Sequence, residues 1–180
     1  ANTELTCETA MAIGRAAAMV LTEVGNKRPQ VVIGKDTRAS SDMLEAALVA
    51  GLTSCGCDVV ALGVIPTPAV AYLTCRLHAD AGVVISASHN PFEHNGIKMF
   101  SREGFKLSDE LEAEMESLIL QKEPLPVRTG AELGRVLDGR ASADLYLEHL
   151  EQTIAPLAPL RVLIDCANGA ASATARRLFT

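Results

Sequence analysis

The sequence predicts a three-layer α/β/α domain built on a mostly parallel mixed sheet. Three β-branched strands, at residues 31–33, 59–62 and 83–85, alternate with segments whose apolar residues recur at helical spacing. Right-handed βαβ crossovers join strands in this order into a parallel sheet. Hydrophobic residues make up 48% of the 180-residue chain, which is enough to fill the interior of such a domain.

The first four predicted helices open at a residue that can cap them, and glycines favour the ends of the first two. Side chains such as Ala10 and Ala17 in the first helix and Leu44 and Leu48 in the second recur on one face, which should be buried. The predicted caps are Thr6, Ser40 or Ser41, Thr67 before Pro68, and Ser108, the predicted ends are Gly25, Gly56 and Arg76, and a fifth helix is predicted over 145–154.

We expect one whole domain over residues 1–154, followed by the truncated start of a second α/β domain over 155–180. Residues 97–100 read as a further strand, and 121–139, rich in Pro, Gly and charge, read as a connecting arm rather than core. A boundary rich in proline precedes a predicted strand at 161–165. One strand and one helix cannot bury a core by themselves, so we expect the chain to be a fragment.

The composition argues against several classes of partner. The net charge is −6, and aromatic residues make up 3% with no Trp, so nucleic acid is not an expected partner. No apolar run approaches the ~18–20 residues that span a bilayer, and no basic signal-peptide region opens the chain, so we expect a cytoplasmic protein with no membrane partner. The five cysteines form no CxxC pair and are expected to be buried thiols.

The loop after the third strand is the most informative segment for function. Pro91 and Asn95-Gly96 prevent a helix through the polar residues that follow the strand. In open α/β sheets, ligands bind beyond the carboxyl ends of the strands. The loop therefore puts the hydroxyl of Ser88 and the imidazole of His89 where a substrate site is expected.

Three familiar kinds of site fit the sequence poorly. A serine hydrolase would pair Ser88 with His89, but neighbouring side chains of an extended loop point in opposite directions, and no GxSxG motif is present. A metal site on His89, Glu93 and His94 has the wrong spacing for one helix face. No GxGxxG follows a strand, so a dinucleotide site is not indicated.

The loop after the first strand, GKDTR at 34–38, leaves two interpretations open. Lys35, Asp36 and Arg38 could form a solvated loop with internal ion pairs, or they could bind a phosphate. The residues alone favour the solvated loop, and the roles of Lys35 and Arg38 stay open.

Five motifs are spread over the chain, namely GKDTR at 34–38, GVIPTPAVAYLT at 63–74, ISASHNP at 85–91, NGIK at 95–98 and DCANGAAS at 165–172. Together, in order and spacing, they resemble the α-D-phosphohexomutase family over nearly the whole chain, and the last is similar to the start of that family's second domain. ANTELT at 1–6 and the 63–74 segment are most similar to the branch that interconverts glucosamine 6-phosphate and glucosamine 1-phosphate.

The resemblance implies transfer of a phosphoryl group between the 6- and 1-hydroxyls of a phosphosugar substrate, through a bisphosphorylated intermediate. Ser88 matches the phosphoserine, Lys98 matches the position linked to acid/base work, and His89 matches a second active-site position. The implied cofactor is Mg²⁺, bound by the Ser88 phosphoryl group and by aspartates of the missing domain II. The implied activator is glucose or glucosamine 1,6-bisphosphate.

The resemblance also implies partners beyond this chain, namely domains II to IV of the same polypeptide. Because those domains would complete the site, we expect the chain to be inactive alone. His94 stands where relatives often carry Asp, so its role stays open. A phosphomannomutase or phosphoglucomutase of the same family, or a noncatalytic α/β binding domain, is an alternative.

Overall fold

The computed structural model describes residues 3–21, 28–121, 125–155 and 158–180. The α-helices are α1 (Cys7–Val20), α2 (Ser41–Ser54), α3 (Thr67–Arg76), α4 (Asp109–Leu120), α5 (Ala143–Gln152) and α6 (Ala175–Leu178). The strands are β1 (Gln30–Lys35), β2 (Asp58–Val64), β3 (Ala81–Ile85), β4 (Ile97–Ser101) and β5 (Val136–Asp138).

The strands form one mixed sheet in the order β4-β3-β1-β2-β5. Strand β1 pairs in parallel with both β2 and β3, and β5 extends the sheet in parallel beyond β2. Strand β4 returns antiparallel to β3, with Lys98 opposite Val84. The predicted mostly parallel mixed sheet is therefore confirmed. Because β1 and β3 are adjacent and parallel, the loops that follow them are neighbours at the carboxyl ends of the strands.

Helices cover both faces of the sheet, which confirms the three-layer arrangement. Alternate side chains of β1 and β3, including Ile33 and Val83, pack on one face with α1, α2 and α4. The intervening ones, including Val32 and Val84, pack on the other face with α3 and α5. Each strand residue of β3 is buried, so this strand is a rigid support for the loop that follows it.

The helix caps agree with the sequence at most positions. Thr6 and Ser108 accept hydrogen bonds from the third backbone amide after each of them, as predicted. Ser40 caps α2 by position but makes no such bond, and α3 begins at Thr67 itself, after Pro66. Helix α1 ends at Val20, and its predicted end at Gly25 lies outside the described residues.

Two predicted segments differ from the structure. Residues 121–139, predicted to be a connecting arm, contribute strand β5, which pairs with β2. All three residues of β5 are exposed, since a strand at the edge of a sheet can form without burying its side chains. No strand forms over 161–165, since a strand is stable only beside a partner and none is paired with it among the described residues. Nearby, the hydroxyl of Thr37 donates to the carbonyl of Asn168 at 2.6 Å and joins this region to the loop after β1.

The cysteines are all free, but only Cys57 is buried; Cys75 is exposed, so the prediction of buried thiols is wrong for most of them. Among the described residues, no helix is long and apolar enough to cross a membrane.

Candidate active site

The candidate site begins where β3 ends. Ala87 is still buried, and the next residue, Ser88, is exposed. Its backbone has a positive φ of 57°, a left-handed conformation that residues other than glycine rarely adopt. The amide of Ser88 donates to Oγ of Ser86 at 3.1 Å, which turns the chain sharply at this point. The hydroxyl of Ser88 is therefore presented to solvent at the carboxyl edge of the sheet.

Ser88 and His89 contact each other through their side chains. Oγ of Ser88 lies 3.3 Å from Nδ1 of His89. The expectation that these neighbours point apart is wrong, because it assumed an extended loop and Ser88 is left-handed instead. The imidazole can therefore hydrogen-bond the hydroxyl, or a group attached to it.

Lys98 approaches the same edge from β4. It is exposed and lies opposite Val84 in the ladder, one pair before the ladder's end at Ile85 and Ile97. Alternation along β4 puts it on the face of α3, and together with Thr67 it lines a cavity of about 670 Å³. Within the described part of the chain, no hydrogen bond or ion pair engages its ammonium group, and none joins it to Ser88.

Arg38 is one of the residues of this region whose role the sequence left open. Its side chain is only 9% exposed, and Nε donates to Oδ2 of Asp36 at 2.8 Å. Its two terminal nitrogens donate to four carbonyl oxygens of the Ser88 loop, those of Ser88 at 3.0 Å, Asn90 at 2.9 Å, Pro91 at 2.5 Å and His94 at 3.0 Å. The internal ion pair expected in GKDTR is confirmed, but the expectation of a solvated loop is wrong.

Asp36 is the buried anchor of this contact. Its carboxylate also accepts from Oγ of Ser41 at 2.9 Å and from the backbone amide of Arg38 at 3.1 Å. Burial by itself would raise the pKa of this carboxyl, but the hydrogen bonds from Arg38, Ser41 and Ser86 outweigh it and hold the pKa below its ordinary value. Asp36 is therefore ionised beside Arg38.

Lys35 faces helix α2 rather than the loop. Nζ of Lys35 pairs with Oδ1 of Asp42 at 2.7 Å and with the carboxylate of Glu45. Partial burial opposes the charge, yet these two carboxylates raise the pKa of Lys35 above its ordinary value. Lys35 is therefore a stable cation that ties β1 to α2.

The other side of the loop is fixed by the amide side chain of Asn95. Asn95 accepts a hydrogen bond from the hydroxyl of Ser40, and its Nδ2 donates to the carbonyl of Glu93 at 2.9 Å. His94 contributes its carbonyl to Arg38, while its side chain is exposed. In the ranges that the structure describes, no three His, Cys, Asp or Glu side chains group as a metal site.

An α/β/α domain that presents a serine hydroxyl on a tightly held loop beyond a buried strand next to the sheet's centre is the architecture of a phosphohexomutase first domain. Residues 1–125 match the family model described as phosphoglucomutase/phosphomannomutase, alpha/beta/alpha domain I, and the chain belongs to that family. The resemblance read from the sequence motifs is thereby confirmed.

The relatives agree with the branch that the sequence favoured. The chain is 57% identical over 180 residues to a phosphoglucosamine mutase of Caldanaerobacter subterraneus subsp. tengcongensis and 52% identical to one of Clostridium novyi, with 99% of this chain aligned in both cases. It spans only 40% of the length of each of these curated relatives.

Solved structures of the family share the fold. A phosphoglucomutase/phosphomannomutase family protein from Burkholderia thailandensis superposes with a TM-score of 0.78 at 30% identity, covering 98% of this chain and 38% of that protein. A putative phosphomannomutase from Thermus thermophilus superposes with a TM-score of 0.69 at 31% identity, covering 85% of this chain and 33% of that one.

Proposed function

We propose that this chain is the phosphoserine-bearing first domain of a phosphoglucosamine mutase, which interconverts glucosamine 6-phosphate and glucosamine 1-phosphate in the cytoplasm. The exposed hydroxyl of Ser88, held on a left-handed turn beside His89, is the observation that carries the proposal. Both curated relatives are named phosphoglucosamine mutase, which supports glucosamine phosphates as the substrates. In this proposal, residues 1–154 form the domain and 155–180 lead into the next one.

Ser88 would donate a phosphoryl group to the sugar and later take one back. In the first transfer a sugar hydroxyl oxygen bonds to phosphorus, the bond between phosphorus and Oγ of Ser88 breaks, and the hydroxyl proton passes to a base. In the return transfer Oγ of Ser88 bonds to the phosphorus of the sugar's other phosphate, the bond between that phosphorus and the sugar oxygen breaks, and the sugar oxygen takes up a proton. Lys98 is our candidate for that base, and it returns the proton in the reverse transfer. His89, 3.3 Å from Oγ, would hydrogen-bond the phosphoryl group.

This chain can supply one of the oxygen ligands that a bound Mg²⁺ would need. A phosphoryl group carries about −1.5 to −2 charge, and its oxygens are the hard ligands that Mg²⁺ prefers. Ser88, once phosphorylated, would supply that ligand, and aspartates of a second domain would supply others. When bound, Mg²⁺ neutralises charge that develops during the transfer. Glucose or glucosamine 1,6-bisphosphate would act as the activator that phosphorylates Ser88.

Assays of the full-length protein test the proposal through Ser88→Ala, with Ser117→Ala, an exposed serine on α4, as the matched control. We expect the wild type and the control to interconvert the two glucosamine phosphates and to carry one phosphoryl group by intact mass, mapped to Ser88. The Ser88→Ala protein should lack both properties.

Three outcomes would contradict parts of the proposal. Turnover of mannose or glucose phosphates in preference to glucosamine phosphates would reassign the substrate within the family. Full activity of the Ser88→Ala protein would show that Ser88 is not the phosphoserine of the reaction. A wild type that carries no phosphoryl group and turns over none of the three sugars would favour a noncatalytic binding domain.

A further inference from the structure

One guanidinium group organises the backbone of the Ser88 loop. Arg38 uses all five of its N–H donors here: Nε binds Asp36, and the two terminal nitrogens bind four loop carbonyls. We propose that Arg38, anchored by Asp36, is a positioning residue that holds Ser88 ready for phosphoryl transfer. This inference rests on the proposed function of Ser88.

The contact reaches across the whole loop. The four carbonyls belong to residues between 88 and 94, so one side chain from the loop after β1 fixes both the start and the far end of the turn. No sheet or helix satisfies these carbonyls, because the loop has neither. The carbonyl of Pro91 also accepts from the backbone amide of His94 at 3.0 Å. Without Arg38 the carbonyls of Ser88, Asn90 and His94 would have to find water, and the loop would lose its common point of attachment.

A second contact, through Ser86, holds the backbone amide of Ser88. Oγ of Ser86 accepts the amide of Ser88 at 3.1 Å, and the same hydroxyl helps to hold the pKa of the Asp36 carboxyl below its ordinary value. The carbonyl of Ser88 is bound by Arg38. Both the amide and the carbonyl of Ser88 are thus tied to one Asp36–Arg38 pair, and this keeps a serine in the left-handed conformation that it would otherwise avoid.

Two consequences favour transfer. Phosphoryl transfer depends chiefly on positioning and electrostatics, and a shift of about 1 Å in a reacting group can cost about a hundredfold in rate. The carbonyl oxygens of the loop would also repel a phosphoryl group. Their convergence on the positive charge of Arg38 offsets that repulsion.

Lysine at position 38 is the sharpest test, because it keeps the positive charge but has three donors and no planar fork. The matched control is Arg28→Lys. Arg28 pairs with Asp58 at 3.2 Å and donates to the carbonyl of Ala131 at 3.1 Å, and it lies at the opposite end of the sheet. Both variants are made in the full-length protein, and kcat, KM and hydrogen exchange of residues 86–96 are measured.

For Arg38→Lys we expect kcat to fall about a hundredfold, KM to change less than about threefold, and the loop amides to exchange faster. Arg28→Lys should match the wild type in kcat and in loop exchange. An Arg38→Lys protein with wild-type kcat and wild-type loop exchange would overturn the inference. A rise in KM without a fall in kcat would also overturn it, because that pattern marks substrate binding rather than positioning.

Ser86→Ala provides a milder variant if Arg38→Lys does not fold. It removes one hydroxyl and breaks only the path to the Ser88 amide. We expect a fall in kcat of about tenfold with faster exchange at Ser88, and wild-type values for both would overturn the inference. If the wild type shows no mutase turnover, the proposed function fails, whereas loop exchange in Arg38→Lys still decides whether Arg38 holds the loop.

Discussion

Oγ of Ser88 lies 3.3 Å from Nδ1 of His89, although the two residues are adjacent in the chain. Adjacent side chains meet in this way only when the backbone departs from the extended form, and Ser88 has a φ of 57°. A phosphoryl group attached to Oγ would therefore be within reach of the imidazole.

Replacing His89 with Ala should slow turnover without preventing phosphorylation of Ser88. A hydrogen bond to a charged group is worth about 1.5–3 kcal/mol, so its loss from the transition state should lower kcat about ten- to a hundredfold. Steady-state kinetics and intact mass of the full-length protein check this. His78→Asn, at an exposed left-handed position away from the site, is the control. Unchanged kcat in His89→Ala would contradict the role.

Replacing Lys98 with Met should abolish most of the turnover and leave the fold intact. Proton transfer by a positioned side chain contributes about 10²–10⁴-fold, whereas an exposed substitution changes stability by about 0.5 kcal/mol or less. Lys106→Met is the control, because Lys106 also lines the cavity but pairs with Glu112 at 3.0 Å. Similar kcat values in the two variants would show that Lys98 is not the base.

Asp36 should make the stability of this domain sensitive to acid. The folded-state pKa of Asp36 lies below the ordinary value of 3.8. The ionised carboxylate therefore contributes fully to the free energy of unfolding above about pH 4, and this contribution is lost as the pH falls through the folded-state pKa. We expect Asp36→Asn to lower the free energy of unfolding by about 3 kcal/mol at pH 7, because it leaves a buried guanidinium without its counterion. The difference from wild type should shrink below pH 4.

Asp138→Asn is the matched control for Asp36→Asn. Hydrogen bonds from Arg140 lower the pKa of Asp138 to about 2, but both side chains are exposed, so solvent screens the pair. Chemical denaturation between pH 3 and pH 7 should show a much smaller effect of Asp138→Asn. Equal effects of the two substitutions at pH 7 would contradict the view that burial gives the Asp36–Arg38 pair its importance.

The sequence predicted the sheet and the Ser88 loop because both depend on local signals. A β-branched run such as 83–85 and a breaker such as Pro91 mark a buried strand and the turn after it. Strand β5 gave no such signal, since it has three exposed residues and forms only because β2 offers an unpaired edge. Long-range pairing of this kind is invisible to local patterns.

Arg38 shows a second limit of sequence reading. Its five hydrogen bonds go to residues that include carbonyls more than fifty positions away, and no side-chain motif records a contact to a backbone carbonyl. The available signal was topological. Loops after neighbouring parallel strands meet at the carboxyl end of a sheet, and an Arg three residues after a strand that pairs with β3 lies beside the Ser88 loop.

The crossing of α1 and α2 provides a prediction about stability. Gly14 and Gly51 face the opposite helix so closely that a Cβ at Gly14 would lie 2.5 Å from the carbonyl oxygen of Leu48, and one at Gly51 would clash with the carbonyl of Met11. Backbone atoms cannot move aside as side chains do, so an added methyl group must push the helices apart.

Gly51→Ala should therefore destabilise the protein even though alanine favours a helix by about 1 kcal/mol. Overpacking costs about 1–3 kcal/mol, and a clash with backbone belongs at the upper end, so we expect a net loss of about 2 kcal/mol. Ala50→Ser, on the exposed face of the same helix, should change the free energy of unfolding by less than about 0.5 kcal/mol. Calorimetric melting of both variants checks this, and a Gly51→Ala protein as stable as wild type would mean that the helices can separate at little cost.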